Sequence, residues 1–356
     1  MEEKLMAKAL ANQPWRKANN QRRFEIFIAS LIPLPLVAYI CYTQQLNPIL
    51  SFAALFLPLQ LIAASIVGYK AYGRRGIGDA VLVVLTFFFS AFVLVLLLSV
   101  LSSVVIQGSQ AISWQFFSQN NVYVSPTTSL DYGGVGHAIV GTLIVVAITT
   151  IAAVPLGLAM AIYLTQSQSK TRNLVRTFTQ ALSGLPSVVS GLFILSIIEA
   201  THIGRSGITG AFALFPLMLP TVARVAEEAL KLVPVDLRYA ALALGAPNYR
   251  AFFQVILPAA KSGLLTALLL GLARVVGETA PLILTMNPSS STSVNPFGGG
   301  MTTLPTYIYN YLASSYETSQ ARAWGAALVL LILVGFLFGL ARILGKSKST
   351  KSKATK

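Results

Sequence analysis

The sequence predicts an all-α integral membrane protein of about eight transmembrane helices. Composition, the length of the apolar runs and the alternation of charge between them predict it. Of 356 residues, 55% are hydrophobic and only 10% charged, whereas a soluble domain carries roughly 25% charged residues. Mean hydropathy is +0.70. Apolar runs fall at about 26–42, 48–69, 79–106, 137–164, 184–200, 207–222, 263–285 and 323–345, each bounded by Gly, Pro or charge. A helix needs roughly 20 apolar residues to cross a bilayer, so each run suits one crossing.

Charge alternates from one connecting segment to the next. One set holds Arg16 to Arg23, then Lys70, Arg74 and Arg75, then Lys170, Arg172 and Arg176, then 223–262, then the Lys-rich tail 346–356. In the other set, 107–136 and 287–321 contain no Lys or Arg, and 201–206 contains only Arg205. The positive-inside rule makes the five basic segments, and both termini, cytoplasmic.

The first run follows a basic stretch that imitates a signal peptide, but no small-x-small cleavage site follows it, and it reads as a retained span. Residues 1–23 are then a cytoplasmic tail and 24–106 a membrane scaffold whose interior is uncharged until Asp79, expected at a helix start. Residues 107–136 form an external loop. From 137 to 345 the helices are interrupted by Gly and Pro and carry the large insertion 223–262, the texture in which transport sites are built. A basic tail, 346–356, closes the chain.

Composition also excludes several classes. The net charge of +15 is confined to short polar segments between apolar runs, which is topology and not nucleic-acid binding. Cys41 is the single cysteine and the two histidines lie far apart, so no intrachain disulfide or cysteine metal site is expected, and metal chemistry is not. GLARILGKS at 339–347 has the wrong glycine spacing for a phosphate loop and ends a membrane helix. Any ATP must be hydrolysed by another chain.

Arg274 is the residue that most needs explaining. It lies about 11 residues from either end of 263–285, roughly 16 Å deep at 1.5 Å per residue. Insertion at that depth costs about 2.5–3.5 kcal/mol. Glu278, four residues on, is placed to pair with it on one helical face. One reading is a self-neutralising pair that holds helices together. The other is a guanidinium on a water-filled path, oriented by Glu278, able to give two oxygens of a tetrahedral oxyanion a donor each.

Two other places invite a role. Ser183-Gly184-Leu185-Pro186-Ser187 reads either as a helix broken to line a gate or as an ordinary N-terminal cap. Between Arg224 and Lys261, short helices broken at Pro234 and at Gly245-Ala246-Pro247 carry the apolar residues Ala240, Ala241, Leu242 and Leu244, flanked by Asp236, Arg238, Tyr249 and Arg250. Such a segment either lies on the membrane surface or docks in a partner's groove. His137 and His202 fall near expected interfaces, and Arg205 attracts anions at the outer mouth or ends a helix.

Tyr239-Ala240-Ala241, three residues, Gly245, nine residues, then Val255-Ile256-Leu257-Pro258 resembles the EAA loop of bacterial ABC importer permeases. Tyr239 stands where that family has Glu, and Val255 where it has Ile. The strings LSGLPSVVSGLF (182–193), LPAAKSGLLTALLLGLAR (257–274), ARVVGETAPLI (273–283) and TTLPTYIYNYLAS (302–314) resemble the PstA family of phosphate permease subunits, over about 137–342. The resemblance implies a type I ABC importer permease core with additional N-terminal helices, and Arg274 and Glu278 on the phosphate path.

It further implies four partners: a PstC-like second permease, a PstB-like ATPase dimer received by the coupling helix, a PstS-like phosphate-binding protein outside, and membrane lipid. ATP would be used by the ATPase subunit, with no cofactor on this chain. Sulfate or molybdate permeases, and an ATPase-independent secondary transporter or channel, stand as alternatives, the insertion 223–262 arguing against the last.

Overall fold

A computed structural model describes residues 33–43 and 48–345. The tails expected at 1–23 and 346–356 lie outside the described residues. Every regular element among the described residues is helical, and the chain divides into two compact units, Met1–Leu101 and Ser102–Lys356.

In the first unit, helices α1 (Pro33–Thr43) and α2 (Pro48–Tyr72) pack on one another, and Gly73, at φ +65, turns the chain into α3 (Arg74–Gly108). Gly68 lies against the α3 backbone, so close that a Cβ there would sit 2.3 Å from the Gly76 carbonyl oxygen. Asp79 stands a full turn inside α3 instead of at its start. The apolar stretch of α3 buries none of its residues within the chain.

The second unit continues with α4 (Trp114–Ser118), α5 (Gly136–Gln166), α6 (Thr171–Ser183), α7 (Ser187–Thr201) and α8 (Gly207–Lys231). It then runs through α9 (Val235–Ala243), α10 (Asn248–Ala259), α11 (Lys261–Val276), α12 (Ala280–Thr285), α13 (Leu304–Leu312) and α14 (Glu317–Gly345). Helix α8 is the hub and packs against α5, α6, α7, α11 and α12. Small residues permit it: Val222 fits between Gly157 of α5 and Gly271 of α11, where added Cβ atoms would stand 3.0 and 2.6 Å from it. A capping box from Ser206 and Thr209 starts α8, which keeps Pro216 and Pro220 in its interior. In the turn ahead of Pro216 the Ala211 and Ala213 carbonyls accept hydrogen bonds from Thr149 (3.2 Å) and Ser190 (2.6 Å), side chains of neighbouring helices. Pro216 leaves the Phe212 carbonyl without its helical donor, and the bonds to the two flanking carbonyls tie that turn to the neighbouring helices.

By length and composition, four described helices can cross a membrane: α3, α5, α8 and α14. The bent pairs α6–α7 (101°) and α10–α11 (67°) raise the number to six, and α1 and Ala54–Lys70 of α2 are apolar but shorter. Within the described residues each of the eight expected runs falls on helix, residues 26–32 of the first lying outside them, with three differences of outline. The run 263–285 is not one helix: α11 ends at Val276 with Gly277 as its cap, and α12 begins at Ala280. Pro281 has no N–H for the Gly277 carbonyl and its ring crowds it, and with glycine itself one turn earlier the helix breaks here, whereas the prolines of α8, which lack such a glycine, stay inside their helix. The segment 287–321 is not all loop, because a Thr303–Thr306 capping box starts α13 and α14 begins at Glu317. Helix α8 also continues past 222 to Lys231, well into the insertion.

Candidate functional site

The break between α11 and α12 carries the charged pair. Arg274 occupies the last turn of α11, where the unpaired carbonyls of a helix end favour a cation. Lys261 begins that helix, so Arg274 stands about 20 Å along its axis. Glu278 lies in the break itself, its backbone N–H donating to the Val275 carbonyl at 3.2 Å, and its carboxylate pairs with Arg274 Nη1. The Glu278 side chain is 11% exposed and that of Arg274 46%. The carboxylate is held against the chain while the guanidinium projects. Both border an open cleft of about 590 Å³, together with Thr221, Leu270, Ala273 and Gly277. Glu278 is the one side-chain partner of Arg274 among the described residues, leaving guanidinium N–H groups free to bind an anion in the cleft.

Ser183 and Ser187 flank the 101° bend between α6 and α7, which falls where the sequence places a break. Neither lines the cleft. Ser183 donates to the Thr179 carbonyl at 2.9 Å, and Ser187 opens α7 after Pro186, which acts as N-cap. The bend still bears on the break through α7, because Gly191 touches α12 so closely that a Cβ would lie 2.7 Å from Pro281 Cα.

Beyond α8, a three-residue link leads into α9, whose first turn holds Asp236. Gly245 follows at φ +81, a left-handed conformation that suits glycine, and Ala246-Pro247 lead into α10. Residues 252–256 of α10 are π-helical, a local widening often found at functional sites. Arg238 reaches Asn248 at 3.5 Å, and Ala241 packs inward while Ala240 stays exposed. Tyr239 and Leu244 project, at 64% and 90% exposure. Of the acids near Tyr239, Glu227 is buried between Arg176 and Lys231, Glu228 pairs with Arg224, and Asp236 is exposed on α9 itself.

At the opposite end of the unit, His137 is buried with its ring edge-on to Tyr307 at 5.6 Å, His202 ends α7 in the left-handed region at φ 55, and Arg205 is exposed. Sequence reasoning missed Arg322. It is wholly buried, and its Nη2 donates to the carbonyls of Thr128 (2.9 Å), Ser129 (2.7 Å) and Tyr132 (3.1 Å). Beside it Asn121 donates to the Tyr307 and Tyr311 hydroxyls, each at 2.8 Å. An Arg in the sixth position of a long apolar helix, directly after a segment free of Lys and Arg, was the available signal.

Comparison of the sequence with known protein sequences gives one consistent answer. Residues 153–350 match the family described as binding-protein-dependent transport system inner membrane component. The phosphate transport system permease protein PstA 1 of Mycobacterium tuberculosis (strain CDC 1551 / Oshkosh) is 40% identical over 268 residues, 73% of this chain and 86% of that protein. The phosphate transport system permease protein PstA of Pasteurella multocida (strain Pm70) is 32% identical over 277 residues, 77% of this chain and 97% of that protein. A crystal structure of an amino acid ABC transporter superposes with a TM-score of 0.46 at 17% identity, covering 58% of this chain and 91% of that one.

Proposed function

The chain belongs to the binding-protein-dependent transport system inner membrane components, a multi-pass membrane family, and on that premise we propose that it is the permease subunit of an ATP-driven importer of inorganic phosphate. The observation that carries the reading is Arg274, projecting into an open cleft from a helix break and balanced by a largely sequestered Glu278. A guanidinium offers parallel donors to a tetrahedral oxyanion, and the nearby carboxylate keeps the empty site near neutrality, so a bound anion can leave. The chain itself breaks no bond.

In this reading the basic end of the helices is cytoplasmic. An ATPase subunit engages α9 and the Gly245 turn, with Tyr239 and Leu244 as the projecting contacts in place of the family's Glu. A second permease completes the path, and an external binding protein delivers phosphate. ATP-driven movement of α9 would rock the interrupted helices between outward and inward access. The test is ATP-dependent uptake of labelled phosphate into vesicles holding the complete set of subunits, with sulfate and molybdate as competitors. Arg274→Gln should abolish uptake at matched assembly and ATPase activity. Unchanged uptake would return the pair to a purely structural role, and equal competition by sulfate would reassign the substrate.

A further inference from the structure

Of the four ion pairs among the described residues, three join residues four apart in the chain. Arg176–Glu227 alone joins two helices. Glu227 stands on α8 little more than one turn before the link to α9, with a side chain only 11% exposed. Its Oε1 accepts from Arg176 Nη2 of α6 at 2.9 Å and from Lys231 Nζ at 2.6 Å. A carboxylate this sheltered needs its cations, since partial burial makes an unpaired charge costly.

What the pair connects gives it meaning. Helix α6 is amphipathic: Leu174 and Phe178, one turn apart, are exposed, whereas Thr179 is buried against the unit. With the 101° bend that follows, this suits a helix lying along the membrane surface while α7 enters it. Helix α7 touches α12 through Gly191 and Pro281, and α12 starts immediately after the break that holds Glu278. At the other end, α8 leads into α9 through the three-residue link. Packing around Thr179 also holds α6 to the unit, but the ion pair is the charged tie between α6 and the cytoplasmic end of α8 among the described residues.

We propose that Arg176 and Glu227 form a latch that makes α6 move with the cytoplasmic end of α8, carrying displacement of the ATPase-receiving helix α9 through the α6–α7 bend to the Arg274–Glu278 break. The latch rests on the transport reading above. Arg176 and Glu227 are positioning residues, acting through α7 and α12 and not on the anion.

The experiment compares wild type, Arg176→Gln, Arg176→Lys and Lys231→Gln in the fully assembled transporter, measuring ATP hydrolysed per phosphate imported. Arg176→Gln should raise that ratio about fivefold, the lower end of usual coupling factors, with assembly and ATPase activity retained. Arg176→Lys keeps the cross-helix charge and should stay near wild type. Lys231→Gln, which removes only the pairing within α8, should do the same. An unchanged ratio in Arg176→Gln overturns the latch, as does equal uncoupling by Lys231→Gln or a loss of assembly that marks the pair as packing alone. A wild type that imports no phosphate overturns the transport reading instead. Spin labels at Leu174→Cys and Leu232→Cys, in a Cys41→Ser background, then decide the latch without substrate. Their separation should hold constant between nucleotide states and become nucleotide-dependent only with Arg176→Gln; constancy in both overturns it.

Discussion

Arg274 and Arg322 both belong to largely apolar helices of the same unit, α11 and α14, and their surroundings differ in almost every respect. Arg322 is wholly buried and gives one nitrogen to three backbone carbonyls of the segment 128–132. No carboxylate pairs with it among the described residues, so it binds the chain itself. Arg274 is half-exposed, pairs with one carboxylate and faces an open cleft. A buried cation spent on carbonyls fixes a loop, while an exposed one balanced by a carboxylate stays available to a mobile anion. What each guanidinium donates to separates the two: backbone carbonyls for Arg322, a carboxylate beside an open cleft for Arg274.

Replacement of Arg322 should give the largest effect. Arg322→Gln leaves up to three carbonyls without a donor, and at about 1–3 kcal/mol for each buried unsatisfied group the expected loss is about 3 kcal/mol or more. Thermal unfolding in detergent checks it, and a variant as stable as wild type would break the comparison at its structural end. Gly191→Ala comes next: its methyl group would press on the Pro281 backbone, at a cost of about 1–3 kcal/mol for overpacking, and would shift α12 with every charge retained. Transport falling together with stability in that variant would sharpen the view that α12 positions Glu278.

Arg274→Gln should lower phosphate uptake more than tenfold, about 1.4 kcal/mol in rate terms, while leaving the unfolding temperature nearly unchanged. A large fall in stability there would erase the distinction between the two arginines. The smallest effect is expected of Tyr307→Phe, which deprives Asn121 of one acceptor at about 1 kcal/mol. Burial raises the Tyr307 hydroxyl above its ordinary range. The native state therefore keeps a proton that the unfolded chain releases near pH 10, and its stability declines as pH climbs above about 10. Stability curves of the Phe variant should lack that part of the decline.

The helical class and the places of the apolar runs were legible because composition and run length act locally. So was Arg274, because a charge at that depth requires a partner within reach on the same chain segment. The break beside it was written in Gly277 and Pro281 but was overridden by the length of the apolar run. Helix α13 was illegible for the opposite reason: nine residues are too few to span, so a polar, aromatic stretch read as loop until the Thr303–Thr306 cap defined it. Arg176 and Arg322 were hidden because their partners lie 51 and from 190 to 194 residues away in the chain, a separation that no local pattern encodes.

The contrast between α3 and α8 bears on how the two helices can drift. The apolar stretch of α3 buries none of its residues within the chain, whereas 61% of the corresponding stretch of α8 is buried. Exchange among Leu, Val, Ile and Phe on α3 disturbs little packing within this chain, so over generations its letters can be rewritten while its oiliness is kept. On α8, an added methylene near Val222 meets Gly157 or Gly271 across a backbone's width. A map of apolar-for-apolar exchanges along the chain would therefore be nearly blank along one helix and dense along the other.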